Sequence, residues 1–287
     1  MRDFSRGPEW LSLNTMTVDR QGDLPAITEA AARHGIPALA IWRHQVAALG
    51  LERAARLIRD AGFVLSGYCR GGMMVADRAQ RPAAREDNSR ALEEAAVLGA
   101  PCLVIVPGGL PQFSRPGSEA SKDIAAARAM VVEELGELLH RAREMGMPLA
   151  LEPLHPMLAA DRGCISTLRQ ALDICDALDP DRSGALGVVV DVYHCWWDPE
   201  LESQIHRAGA RRLLSFQVCD WLVPTNHLLN DRGMMGDGII EIPLIRRWME
   251  AAGFAGYAEV ELFSERWWAQ PIDEVLGLCL ERHRCRV

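Results

Sequence analysis

The stretch LGVVVDVYH, residues 186–194, places a short run of Leu, Gly and Val ahead of Asp191 and follows it three residues later with His194. A β-branched run of this length, bounded by a polar residue, is the pattern of a parallel strand buried on both faces. Three other stretches repeat the form: PLALEP (148–153) ends on Glu152, LLSFQVCDW (213–221) carries Gln217, and YAEVELFS (257–264) carries Glu261. Each precedes a loop rich in Gly, Pro, Trp or His. In a closed barrel of parallel strands, side chains at equivalent strand ends converge on one mouth.

Working outward from 186–194, further strands are expected at 10–16, 37–42, 63–69, 101–106, 147–153, 185–192, 211–218 and 256–263, which makes eight with the quoted one included. Helical patterns lie between them, for example at 24–34, 45–61, 81–99, 119–145 and 167–178, several ending at Gly or Pro. Strands alternating with helices imply right-handed βαβ units and a parallel sheet. The expectation is one α/β domain over 1–287, a (β/α)8 TIM barrel. A doubly wound open sheet is the alternative, but no G-x-G-x-x-G turn follows the first strand.

Alternation along the strands supports the barrel. Tyr257, Glu259 and Glu261 share one face while Ala258, Val260 and Leu262 share the other, so the polar face points inward and the apolar face packs on helices. By the same parity Glu152 goes with Ala150, Asp191 with Val189 and Gly187, and Gln217 with Ser215. Leu149, Leu151, Val190, Leu214 and Phe216 are assigned to the outer face.

Bulk properties exclude several classes. The 287 residues are 49% hydrophobic and 24% charged, and no apolar run approaches the length of a membrane span, so a membrane protein is not expected. The N-terminal MRDFSRGPEW has no apolar stretch behind its charges, and a cytoplasmic location is the default expectation. Eight cysteines form no C-x-x-C pair, which argues for reduced, mostly buried thiols. A net charge of -8 disfavours nucleic acid as a partner, and the use of arginine with Lys122 as the one lysine reads as a compositional bias.

Glu152, Asp191, Gln217 and Glu261 together make an oxygen donor set for one hard divalent cation, Mn2+ or Mg2+, with positions left for substrate. Three converging carboxylates require a counter-charge, because each disfavours ionisation of the others. His155 and His44 start comparable loops and either contact substrate or pack those loops. The long segment 219–243, CDWLVPTNHLLNDRGMMGDGIIEIP, is expected to cover the mouth. In it Arg232 either binds a substrate oxygen or pairs with Asp237. Acidic neighbours make its glycines a poor phosphate cradle, so an unphosphorylated substrate is expected. Trp42, Trp196, Trp197, Trp221, Trp267 and Trp268 follow expected strands; such rings suit the apolar faces of sugars, and equally serve packing or subunit contacts.

With LSLNT near the start, LALEPLHP, VVVDVYH and EVELF, the chain resembles the xylose-isomerase-like barrel superfamily, which includes sugar isomerases and epimerases, inosose dehydratases and relatives of endonuclease IV. The resemblance implies that Glu152, Asp191 and Glu261 are metal ligands and that His194 contacts substrate. The fourth family ligand is usually a histidine, where this chain has Gln217. It further implies that Glu152 and Glu261 exchange protons with a carbon beside a carbonyl through an enediolate, making the protein an isomerase or epimerase of a sugar or cyclitol. A dehydratase or lyase on a keto-sugar, keto-glycoside or inosose is the alternative, and a non-catalytic sugar-binding subunit a further one. The endonuclease reading lacks the family's D-x-H after strand seven, where Asp237-Gly238-Ile239 stands. Homo-oligomers, dimeric or tetrameric, are implied as well.

Overall fold

The structure is a computed structural model that describes residues 2–287. Seven strands are laid down in order before the long loop: β1 (Leu11–Asn14), β2 (Ala38–Trp42), β3 (Val64–Gly72), β4 (Leu103–Val106), β5 (Leu149–Leu151), β6 (Leu186–Asp191) and β7 (Leu213–Val218). A two-stranded antiparallel ribbon, β8 (Asp220–Trp221) with β9 (Arg232–Gly233), follows, and β10 (Ala258–Val260) closes the chain of strands. The parallel staves run β1-β10-β7-β6-β5-β4-β3-β2 and close on themselves, so the fold is a (β/α)8 TIM barrel. Among the described residues no helix is long and apolar enough to cross a membrane.

The helices form where periodicity and caps coincide. Asp23 accepts from the Ala26 amide and starts Leu24–Arg33; Asp123 accepts from Ala126 and starts Ile124–Met145; Thr167 accepts from Gln170 and starts Leu168–Leu178. The segment expected as one helix over 45–61 is two, Arg43–Leu49 and Leu51–Asp60, because Gly50 sits at φ +92° and breaks the hydrogen-bond ladder between them.

The side-chain alternation holds with one exception. Cys69, Cys102, Val104, Ala150 and Val189 form a small apolar cluster of their own. Leu149, Leu151, Val190 and Phe216 belong to the large core shared with the helices. Leu214 departs from the outward assignment: the β6–β7 register shifts so that Val188 pairs with Leu213 but Val189 pairs with Ser215. The extra residue turns Leu214 toward the Val189 cluster, below Gly187, where an added Cβ would meet its Cγ at 2.7 Å. Seven of the cysteines are buried and free, and Cys285 is exposed.

Candidate active site

Glu152 lies directly beyond β5, Asp191 ends β6, Gln217 lies in β7 and Glu261 directly follows β10, so four adjacent staves carry the four expected residues. All four are buried. Asp191 also caps the single turn Val192–Cys195, accepting from the Tyr193 amide at 2.8 Å, and this turn swings His194 back over the mouth. His194 Nδ1 accepts from the His155 backbone N–H at 3.2 Å, which turns Nε2 toward the carboxylates, 3.5 Å from Asp191 and 3.7 Å from Glu152.

The counter-charge that these acids require is part of the chain. Arg232, on β9, sends its guanidinium into the mouth, where one terminal nitrogen donates to Asp191 Oδ2 and to Glu261 Oε2, both at 2.9 Å, and the other lies 3.2 Å from His194 Nε2. The guanidinium carbon stands 4.4 Å from the Tyr193 ring centroid and 4.8 Å from that of Phe263, so two aromatic rings hold it as well. Asp237, the other partner considered for Arg232, lies 3.4 Å from Arg282 instead. The position of Arg232 depends on Asp220, whose carboxylate accepts from the amides of Trp221, Gly236 and Ile240, each at 2.9 Å. Gly238 passes so close that an added Cβ would lie 2.1 Å from the Trp221 carbonyl oxygen. The long loop is thereby folded into a fixed strap over the barrel, and its Leu229 lines the pocket.

Below this layer lies a residue that the metal set did not include. Glu259 is fully buried and accepts from Asn14 at 2.8 Å, Ser66 at 2.9 Å and the Gln217 amide nitrogen at 3.0 Å. Asn14 Nδ2 also donates to Glu261 at 2.8 Å, and the Trp42 indole donates to Asn14 Oδ1 at 2.8 Å. Asn14 had no apparent role in LSLNT, whereas Glu259 was visible through its parity with Glu261. Although Cys69, Glu259 and Glu261 come close enough together to share an ion, Asn14 already bridges the two carboxylates.

Burial and mutual repulsion control the titration of the site. Burial, then the charges of Glu261 and Asp191, push Glu152 far above the usual carboxylate range. Burial raises Glu261 to about 8, with Arg232 working against it. Asp191 is raised by burial and drawn back by Arg232 and the Tyr193 amide. Burial and the nearby charge of Arg232 hold His194 far below its ordinary value, so it is a neutral imidazole. Burial alone would lower Arg232, but Asp191 and Glu261 outweigh it, so it remains a cation.

The donor set suits a divalent ion in kind. Glu152, Asp191 and His194 place ligand atoms within 4.8 Å of one another, and the Gln217 carbonyl oxygen is buried without a partner. Occupancy is another matter: Arg232 stands between Asp191 and Glu261, within hydrogen-bonding distance of both, in the space that a shared cation needs. In this arrangement the residues hold a guanidinium and do not fit a metal as well.

The pocket above them is lined by Trp42, Glu152, His194, Arg232 and Glu261, with Phe263 and several aliphatic residues. Of the rim tryptophans only Trp42 lines it. Trp196 packs on Trp221, Trp197 donates to the His194 carbonyl, and Trp268 donates to the Met16 carbonyl. The ring of His155 stacks on Trp221 with centroids 5.0 Å apart, and His44 bonds Asp19 at 2.7 Å; neither ring lines the pocket.

Residues 28–282 match the model of the xylose isomerase-like TIM barrel family. Protein SMc04130 from Sinorhizobium meliloti 1021 has a similar structure, 52% identical, with a TM-score of 0.91 over 97% of this chain and 98% of that one. At 18% identity the fold is shared with the IOLI protein carrying a zinc atom (TM-score 0.79, 95% of each chain). It is shared also with the E. coli 3-keto-D-glucoside 4-epimerase YcjR (18% identity, TM-score 0.72, 94% of this chain and 97% of that one). No protein of curated function matches the sequence significantly.

Proposed function

The chain belongs to the xylose isomerase-like TIM barrel family, and from that premise we propose that it isomerises or epimerises a sugar or cyclitol by moving a proton next to a carbonyl. One observation carries the reading. Glu152 and Glu261 project from staves separated by β6 and β7, face the same buried pocket, and both titrate above the ordinary carboxylate range. Two carboxyls at different sides of one bound carbon, both raised by burial so that each can hold a proton, are what enolisation and reprotonation need. Arg232 supplies fixed positive charge where an enediolate would develop, in a pocket largely shielded from water. Neutral His194, fixed by the His155 amide, offers Nε2 to a substrate hydroxyl, and Trp42 offers a flat wall.

Metal dependence is a second reading, favoured by the orphaned Gln217 oxygen and the near approach of Glu152, Asp191 and His194. Here Glu152, Asp191, Gln217 and Glu261 would hold Mn2+ or Mg2+, and the ion would stabilise developing negative charge. It requires Arg232 to withdraw from Asp191 and Glu261.

The test is deuterium incorporation followed by NMR, with ketoses, inososes and 3-keto-glycosides in D2O, in EDTA and in Mn2+. Exchange beside the carbonyl in wild type, lost in Glu261→Gln with the fold retained, is expected. Exchange that survives EDTA supports Arg232 as the working cation, and exchange only with Mn2+ supports the second reading. An elimination product would move the assignment to a lyase. Undiminished exchange in Glu261→Gln would remove the acid/base assignment, and no exchange across the panel would leave a binding role.

A further inference from the structure

Two arginines of the pocket take no part in the chemistry above. Arg70, on β3, and Arg162, in the loop after β5, both line it and are half-buried. Among the described residues neither guanidinium has a hydrogen-bond or ion-pair partner. This sets them apart from Arg232, which is bonded to two carboxylates, and from Arg43 and Arg115, which both hold Asp87, at 3.0 and 3.2 Å. Asp87 is the acid whose field reaches Arg70, and it is thus already engaged.

The two free guanidiniums face one cleft. After burial, the charges of Arg162 and Arg115 are what lower the pKa of Arg70, and the charge of Arg162 also reaches His194. The backbone beneath Arg162 is fixed, its amide donating to Leu158 O and its carbonyl accepting from Gly108 N, both at 2.9 Å. Arg70 stands where β3 bulges, between the pairings Tyr68 with Leu103 and Gly71 with Ile105. Half-withdrawing a cation from water without a partner costs free energy, and placing a second cation opposite costs more. The planar fork of each matches the oxygens of a carboxylate or phosphate, which would relieve both costs together.

We propose that Arg70 and Arg162 form an anion clamp, and that the substrate is a polyhydroxy keto compound bearing a carboxylate or phosphate at the end remote from the reacting carbon. This rests on the reading of Glu152 and Glu261 as the proton-transfer pair, and it names what their substrate carries. The glycine-rich stretch after β7, which offered no phosphate cradle, is not involved; the cations come from β3 and the loop after β5.

The test uses the intact protein at low salt, titrated by calorimetry with inorganic phosphate and, separately, with glycolate. Saturable binding of at least one is expected, weakened by about tenfold or more in Arg70→Gln and in Arg162→Gln, since each removes a charge-assisted hydrogen bond. Binding of phosphate alone assigns a phosphate ester, and binding of glycolate alone a sugar acid. Absence of binding by either anion, or binding undiminished in both variants, would overturn the clamp. Neither probe needs turnover, so the result is independent of the enolisation reading. Deuterium exchange into a neutral ketose, equal in wild type and both variants, would leave that reading standing even where the anion titrations remove the clamp.

Discussion

Replacing Arg232 by methionine tests whether a metal can take the place of its guanidinium. The variant loses both 2.9 Å bonds to carboxylates, the contact with His194 and the packing of the guanidinium between Tyr193 and Phe263, while the aliphatic stem is preserved. Removing one partner of a buried ion pair typically costs about 3–5 kcal/mol, because the remaining charges stay buried without compensation. Here Glu152, Asp191 and Glu261 would all be left so. Their pKa values rise further without Arg232, and proton uptake brings the cost toward the lower figure.

The same vacancy opens the oxygen donors to metal. A ligand that binds only the folded state at a hundred times its dissociation constant contributes about 2.7 kcal/mol. Denaturant unfolding of Arg232→Met in EDTA should therefore show the full loss, and in saturating Mn2+ most of it should return. Wild type should unfold at the same midpoint in both buffers, and equilibrium dialysis should find manganese on the variant alone. Stoichiometric manganese on wild type, with an EDTA-sensitive midpoint and no gain in affinity in the variant, would refute the claim that Arg232 occupies the metal's place.

Three further outcomes follow from individual groups. Asp220→Ala removes the acceptor of three loop amides, so the exchange of the Gly236 and Ile240 amides with solvent should quicken markedly and turnover should fall with the barrel intact; unchanged exchange would deny Asp220 its role in holding the strap. Gly238→Ala forces a Cβ against the Trp221 carbonyl and should displace the strap, lowering activity while far-UV circular dichroism stays unchanged; full activity would show that the loop does not need this close approach. His283 is buried against Phe4 with ring centroids 4.8 Å apart, and burial lowers its pKa to about 4. Its folded value lies below the unfolded one, so its neutral form is stabilising above about pH 6.5, and stability is lost as pH falls toward 4. The loss is about 2 kcal/mol by pH 5. His283→Phe should flatten this part of the urea-midpoint profile, and an unchanged slope would assign the pH dependence to other groups.

The barrel was legible because the strand pattern is strong. Eight apolar runs at regular spacing, each with small or polar residues on one face, leave few alternatives, and seven of the eight expected segments contain their observed stave, while β3 runs three residues beyond 63–69, to Gly72. The errors are local. Leu214 turned inward because a bulge depends on how β6 and β7 pair, which parity within one strand cannot report. The break at Gly50 interrupts an otherwise continuous apolar stripe. The strand-end residues Glu152, Asp191 and Glu261 were readable because their position alone brings them together. Arg232 was not readable as their partner, since it lies in an irregular loop whose path is set by Asp220 and the close passage of Gly238. Asn14, Arg70 and Arg162 were missed for a related reason: what distinguishes them is the presence or absence of a partner from a distant segment.

These partners impose a direction on the pocket. Asp191 and Glu261 are bonded to Arg232, and Glu152 lies beside them, while the guanidiniums of Arg70 and Arg162, which line the same pocket, are bonded to no acid. A substrate with one anionic end is repelled by the carboxylates in one orientation and attracted by the free arginines in the other. The separation of like charges thus does more than bind. On the proposed reading it would decide which end of a polyhydroxy chain is presented to Glu152 and Glu261, a choice that hydroxyl groups repeating along such a chain would leave ambiguous. A neutral ketose would lack this bias, and should yield deuterium at more than one carbon where an anionic one yields it at a single position.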